Sequence, residues 1–128
     1  MDEVRDKYRV DIIQYISLEE ERIVADFSDY STDEPERIID IIYKYGDDIS
    51  KKGGLAFGKP ENAKVLYPDL AAYMFKYALG SVMLVADNDE NDKLKGAFAV
   101  FSYKRYKNWS EYDRYILPII FKTLTRLI

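Results

Sequence analysis

Two apolar segments in the second half of the chain constrain its fold more than any other feature. Residues 81–87 and 96–103 carry apolar side chains at odd and even positions alike, and an acidic segment, residues 88–95, separates them. Apolar residues on both sides of a strand predict that both sides are buried. We therefore expect two central strands of a sheet that is covered on two sides. A helix is expected to follow Trp109, with Ser110 as its N-cap.

The beginning of the chain predicts a β-hairpin. Residues 9–16 and 22–30 are rich in β-branched and aromatic residues, and the acidic segment 17–21 separates them. A helix over residues 2–23 is the alternative, because Glu and Arg are good helix formers. With the hairpin, the predicted class is α+β, with a mixed, mostly antiparallel sheet and helices packed on it.

Two further helices are predicted in the middle of the chain. The first is capped by Asp33 and ends at Gly46. The second spans residues 68–79, is apolar nearly all round and ends at Gly80, so it is expected to be buried on several sides. The segment between them, residues 47–64, has little periodicity and several glycines, which predicts loops.

Length and charge narrow the class of protein. The chain has 128 residues, which suits a single domain over residues 1–128. Its formal net charge of −4 argues against a nucleic-acid partner, which would require a basic surface. No apolar run approaches a membrane span, and the start of the chain is not typical of a signal peptide. The cytoplasm is the expected compartment.

The chain contains no cysteine and no histidine. This excludes thiolate nucleophiles, Cys/His zinc sites, haem held by His or Cys, and Ser-His-Asp triads. We therefore predict no catalytic residue, no metal site and no cofactor, and an enzyme is not expected.

Two segments come close to known ligand-binding loops. Residues 53–60 nearly match the phosphate-binding loop, but Pro60 occupies the position of the hydroxyl that binds magnesium. Residues 87–92 resemble the start of a calcium-binding loop, but Asp92 replaces the required glycine and Phe98 the bidentate glutamate. The first segment is better interpreted as a mobile loop or pocket lid, and the second as a solvated hairpin turn.

Residues 79–128 resemble the C-terminal half of a GAF domain, the small-molecule sensor module of phytochromes, phosphodiesterases and many signalling kinases. The resemblance rests on the strand 80–86, on the strand 94–101 with its Gly96, and on the aromatic–Ser–x–x–Asp start of the final helix at residues 109–113. It implies a GAF-like sheet with helices on one face, a pocket on the other, and dimerisation through terminal helices. A PAS-like or profilin-like fold is the alternative.

Two functional hypotheses follow from the resemblance. In the first, a sensory or regulatory domain binds a small ligand between the sheet and the 47–67 loops and signals through its terminal helix, as a homodimer or within a larger signalling protein. The candidate lining residues are Phe57, Tyr67, Tyr73, Met83, Val85 and Phe98. In the second, a degenerate GAF-like domain acts in structure or in protein interaction, by dimerisation, with no ligand.

Overall fold

The computed structural model describes residues 10–26, 36–103, 109 and 111–125. Five strands form one sheet in the order β2-β1-β5-β4-β3. Every pair of neighbouring strands in it is antiparallel. The strands are β1 (Ile12–Ser17), β2 (Arg22–Asp26), β3 (Gly54–Phe57), β4 (Leu79–Asn88) and β5 (Leu94–Tyr103).

In this described part of the chain five helices accompany the sheet, and they cover both of its faces. They are α1 (Glu36–Lys44), α2 (Gly46–Lys52), α3 (Pro60–Ala63), α4 (Pro68–Lys76) and α5 (Glu111–Thr125). The first four pack on one face, which we call the α1–α4 face, and α5 packs on the opposite face, the α5 face. The expectation that helices occupy only one face is therefore wrong. The physical reason is that an apolar sheet face must be removed from water, and β4 and β5 are apolar on both faces.

The two central strands and the hairpin are confirmed. Nearly every residue of β4 and β5 is buried. Their alternation divides them between the two faces: Leu84 belongs to the core of the α1–α4 face, while Met83 and Val85 belong to the core of the α5 face. β1 and β2 pair as predicted. Residues 27–30 of the predicted second strand lie outside the described residues.

The segment predicted as loops contains regular structure instead. α2, β3 and α3 all lie between residues 46 and 63, and Gly46 begins a helix rather than ending one. These elements are 7, 4 and 4 residues long. Elements this short complete at most two turns or two alternations, so they leave no recognisable periodicity in the sequence.

The helix before β4 also differs from its prediction. α4 ends at Lys76, and Gly80 lies inside β4. Ala78, with a φ of 56°, takes the left-handed conformation at the turn. α4 buries one side, with Leu70 among its core residues, whereas Phe75 is 55% exposed. Asp33 and Ser110, the predicted N-caps, lie outside the described residues.

Candidate functional site

An open groove of about 980 Å³ follows the β3 edge of the sheet. We call it the edge groove. Its floor is formed by β3 and the second half of β4, and its two sides by the segment before α4 and by α5. It is lined by residues 52–57, 66–67 and 83–89, with Asp92, Tyr115 and Pro118.

Two glycines shape the start of this edge. Gly53 has a φ of 77° and ends α2 in the left-handed conformation, which L side chains rarely adopt. At Gly54 a Cβ atom would collide with the Leu84 backbone carbonyl of β4. The glycines thus let the chain leave α2, turn sharply and lie close against β4.

One end of the groove is polar. The Lys52 ammonium donates to Tyr67 Oη at 2.9 Å, and the Tyr67 hydroxyl donates to Asp48 Oδ2 at 3.1 Å. The hydrogen bond to Tyr67 raises the pKa of Lys52 above its ordinary value, so Lys52 stays positively charged at neutral pH. Beside it, the Ser50 hydroxyl donates to the Asn88 side-chain carbonyl at 2.9 Å. The polar end therefore offers both donors and acceptors.

A buried hydrogen bond reaches this end of the groove from across the sheet. The Tyr15 hydroxyl, on β1, donates to Asp87 Oδ2, on β4, at 2.6 Å. It passes over Gly96 of β5, where a Cβ atom would lie 2.5 Å from Tyr15 Oη. Burial, and then the Asp87 carboxylate, raise the pKa of Tyr15 well above its ordinary value. The tyrosine therefore stays protonated and links β1 to β4.

A column of aromatic rings connects the same tyrosine to the terminal helix. The Tyr15 and Phe98 ring centroids are 4.9 Å apart, and the Phe98 ring stacks on Phe121 of α5 at 4.6 Å. Phe98 and Phe121 are almost fully buried. The carboxylate that lines the groove is thus connected to α5 through one hydrogen bond and two ring contacts.

The structure separates the six predicted lining residues. Four of them line the edge groove, namely Phe57, Tyr67, Met83 and Val85. Tyr73 instead lines a second, shallow groove of about 520 Å³ between α1 and α4. Phe98 lies beneath α5 in the aromatic column. Met83, Val85 and Phe98 share one face of the sheet, and Tyr67 and Tyr73 share the other. Distance from the β3 edge explains the separation instead, because Phe98 lies on the central strand β5 and Tyr73 contacts Phe101 of the same strand.

The interior that was expected to hold a ligand is filled by side chains. Between α1–α4 and the sheet lie Ile38, Ile42, Ile49, Leu70 and Met74, each 0% exposed. Space for a ligand next to residues 47–67 therefore lies at the sheet edge rather than beneath the helices.

Sequence reasoning missed several residues of this groove. Lys52 of α2 and two residues of α5, Tyr115 and Pro118, were not among the six predicted lining residues, because only the fold brings these two helices to one groove. Asp87 did carry a signal, since it is a carboxylate at the end of an otherwise apolar strand. A buried acid in such a position requires a hydrogen-bond partner.

The acidic turn between β4 and β5 is stabilised by its own side chain. Asp89 Oδ1 accepts the backbone N–H groups of Asn91 at 2.8 Å and Lys93 at 3.0 Å. These bonds lower the pKa of Asp89. Among the residues that the structure describes, no three acidic side chains come together as a metal site, and no helix is long and apolar enough to cross a membrane.

Comparison with known proteins identifies the fold. No protein-family model and no curated protein matches the chain. A solved structure does: GAF3 from Slr1393 of Synechocystis sp. PCC6803, in its photoproduct state, matches with a TM-score of 0.69. The chain has a GAF-like fold. The match covers 96% of this chain and 84% of the GAF3 chain, at 14% sequence identity, so it concerns the fold and not the function.

Proposed function

We propose that this GAF-like domain is a sensory or regulatory module that binds a small ligand in the edge groove and signals to a partner through α5. The observation that carries the proposal is that the terminal helix supplies part of the groove wall, through Tyr115 and Pro118. A ligand there contacts the sheet and the helix together. No catalytic role is proposed.

The lining of the groove indicates the class of ligand. Phe57, Met83 and Val85 give an apolar stretch, whereas Lys52 and Asn88 give a hydrogen-bonding end. Ligand sites are commonly apolar clefts with a few polar groups that fix orientation. The proposed ligand is therefore an amphipathic small molecule with one polar end.

The route to a partner begins at the same helix. Pro118 lies inside α5 and has no N–H to donate to the preceding turn, so the helix is weakened at the point where it borders the groove. Phe121, further along the same helix, is held against Phe98. Ligand contact at Tyr115 and Pro118 would therefore shift the first half of α5 relative to a fixed second half.

Native mass spectrometry of freshly purified protein tests the ligand. We expect extra mass that is lost on denaturation, and less of it for Tyr115→Ala. Ile119→Ala is the matched control, because Ile119 is exposed on the same helix but does not line the groove. An unliganded wild-type mass, together with no change in melting temperature across an amphipathic small-molecule library, would contradict the proposal.

A second candidate function is interaction through α5 with no ligand. Tyr115 and Ile119 are 68% and 45% exposed, and they lie four residues apart on one side of the helix. Exposed apolar side chains on a helix favour a helix–helix contact, in a homodimer or with another domain. Sedimentation velocity would distinguish it: Ile119→Asp is expected to reduce self-association, whereas the ligand proposal predicts that ligand mass is retained.

A further inference from the structure

The outer edge of β3 presents backbone groups that no strand of the described residues pairs. β3 is an end strand of the sheet, paired with β4 on its inner side. The Ala86 N–H donates to the Gly53 carbonyl at 3.0 Å. This bond shows which residues of β3 hydrogen-bond to β4 and which face away from it. In that antiparallel alternation the backbone groups of Leu55 point to β4, and those of Gly54 and Ala56 point outward. Within the described part of the chain, the outward groups make no hydrogen bond.

The groove around this edge has the form that an extended segment requires. Leu66 and Tyr115 border it from opposite sides and are 67% and 68% exposed. A strand added about 4.8 Å from β3 would direct alternate side chains to these two sides. Apolar residues at consecutive positions of such a strand would cover both exposed side chains, one from each face of the strand.

The charges of the groove lie at one end. Asp87, Asp89 and Asp92 line it beyond the N-terminal end of β3, and Lys52 is the one cation in the described lining. Asp87 is already paired, with the Tyr15 hydroxyl and with Lys95 Nζ at 3.9 Å, and Lys52 is engaged with a tyrosine hydroxyl. Within the described lining this leaves the carboxylates of Asp89 and Asp92, which favour a basic residue at this end of a bound segment.

We infer that the edge groove binds an extended segment of a partner protein, which joins the sheet as an added strand beside β3. The segment has apolar residues at consecutive positions, so that both of its faces are apolar, and it carries Lys or Arg where it passes the acidic end. If it runs antiparallel to β3, the basic residue is at its C-terminal end. This inference goes beyond the proposed function and does not require a small ligand.

Selection of a phage-displayed random heptapeptide library against the immobilised, folded protein tests the inference. We expect enrichment of sequences with consecutive β-branched or aromatic residues and a basic terminus. The strongest peptide, labelled with fluorescein, is expected to bind Ala56→Pro about tenfold more weakly than wild type, because one outward N–H is lost. Tyr115→Lys should also weaken binding, whereas Ile119→Lys, on the same helix outside the groove, should not.

N-methylation of the selected peptide tests the strand geometry without altering the protein. Methyl groups on alternate residues, those whose N–H faces β3, are expected to abolish binding. Methyl groups on the intervening residues should leave it within about threefold of the parent peptide, since those N–H groups face solvent. Failure to enrich any sequence, equal binding to Ala56→Pro, or a methylation scan without alternation would overturn the inference.

The two proposals fail separately. The methylation scan leaves the protein and its groove surface unaltered, so it reports on the added strand alone. Ligand mass in native spectra of the wild-type protein reports on the small ligand alone. Alternation in the scan without ligand mass would support the added strand and contradict the small ligand, and ligand mass without alternation would do the reverse.

Discussion

The two edges of the sheet differ in how they resist pairing with another strand. β2 ends in exposed charged residues, Arg22 and Asp26, and its pairing with β1 is interrupted by a shift of register. β3 has four residues and carries no charged side chain. Exposed apolar side chains flank it on both sides, Leu66 on one and Tyr115 on the other. Charges and bulges are the usual means by which a protein keeps an edge from pairing. One edge of this sheet is therefore protected and the other is accessible.

The largest loss in the free energy of unfolding is expected where the start of β3 lies close against β4. Gly54→Val should lower the free energy of unfolding by about 3 kcal/mol or more, because the side chain meets the Leu84 carbonyl at a φ of 152°. Gly53→Ala, with open space around its Cβ, should cost about 1 kcal/mol for its φ alone. Urea denaturation measures both. Equal losses would show that close approach to β4 is not what this edge requires.

Proline substitutions along β3 test which backbone groups face outward. Leu55→Pro removes an N–H that bonds to β4 and should cost about 3 kcal/mol. Ala56→Pro removes an outward N–H and should cost about 1 kcal/mol or less. Thermal unfolding compares the two. The reverse order would mean that the register assigned to this edge is wrong.

The next largest loss of stability is expected at the Tyr15–Asp87 hydrogen bond, which links the two halves of the sheet. Tyr15 lies on the strand beside β2 and Asp87 on the strand beside β3. Tyr15→Phe leaves a buried carboxylate without its hydroxyl donor and should cost about 1–3 kcal/mol. Chemical denaturation at pH 7 measures the loss. A change near zero would indicate that Asp87 finds another donor.

The same tyrosine makes stability depend on alkaline pH. Its pKa is raised in the folded state, so the unfolded state releases this proton first. The contribution of Tyr15 is therefore complete below about pH 10 and is lost as the pH rises toward the folded-state pKa. Above about pH 10 the stability of wild type should fall more steeply than that of Tyr15→Phe. Parallel curves for the two proteins would contradict this.

The smallest change in stability is expected at the protected edge. Arg22→Val should alter the free energy of unfolding by about 0.5 kcal/mol or less, because Arg22 and its ion-pair partner Glu20 are both exposed. Asp26 is left in place, since its carboxylate accepts a hydrogen bond from the buried Gln14 amide. Arg22→Val should nevertheless increase self-association, which sedimentation velocity detects. Arg22→Lys is the control and should remain like wild type. If the valine variant does not associate, this charge does not protect the edge.

Parts of the fold were predictable because they are long or strongly patterned. β4 and β5 have 10 residues each, apolar on both faces, and this pattern predicted their central place. β3 was missed since its 4 residues complete too few alternations. Part of the groove lining was predictable for the same reason. Met83 and Val85 lie on a recognisable strand. The places of Tyr73 on α4 and of Phe98 beneath α5 depend instead on how the helices pack on the sheet.

By itself the sequence determined that two strands would be buried on both faces, and that chemistry based on cysteine or histidine is excluded. Both conclusions depend on residue type and local order, which a linear chain displays directly. The tertiary structure alone decided which edge is accessible and what surrounds it. Leu66, Asp87 and Tyr115 are far apart in sequence, and they border one groove because the strand order places β3 at the end of the sheet and α5 across its other face.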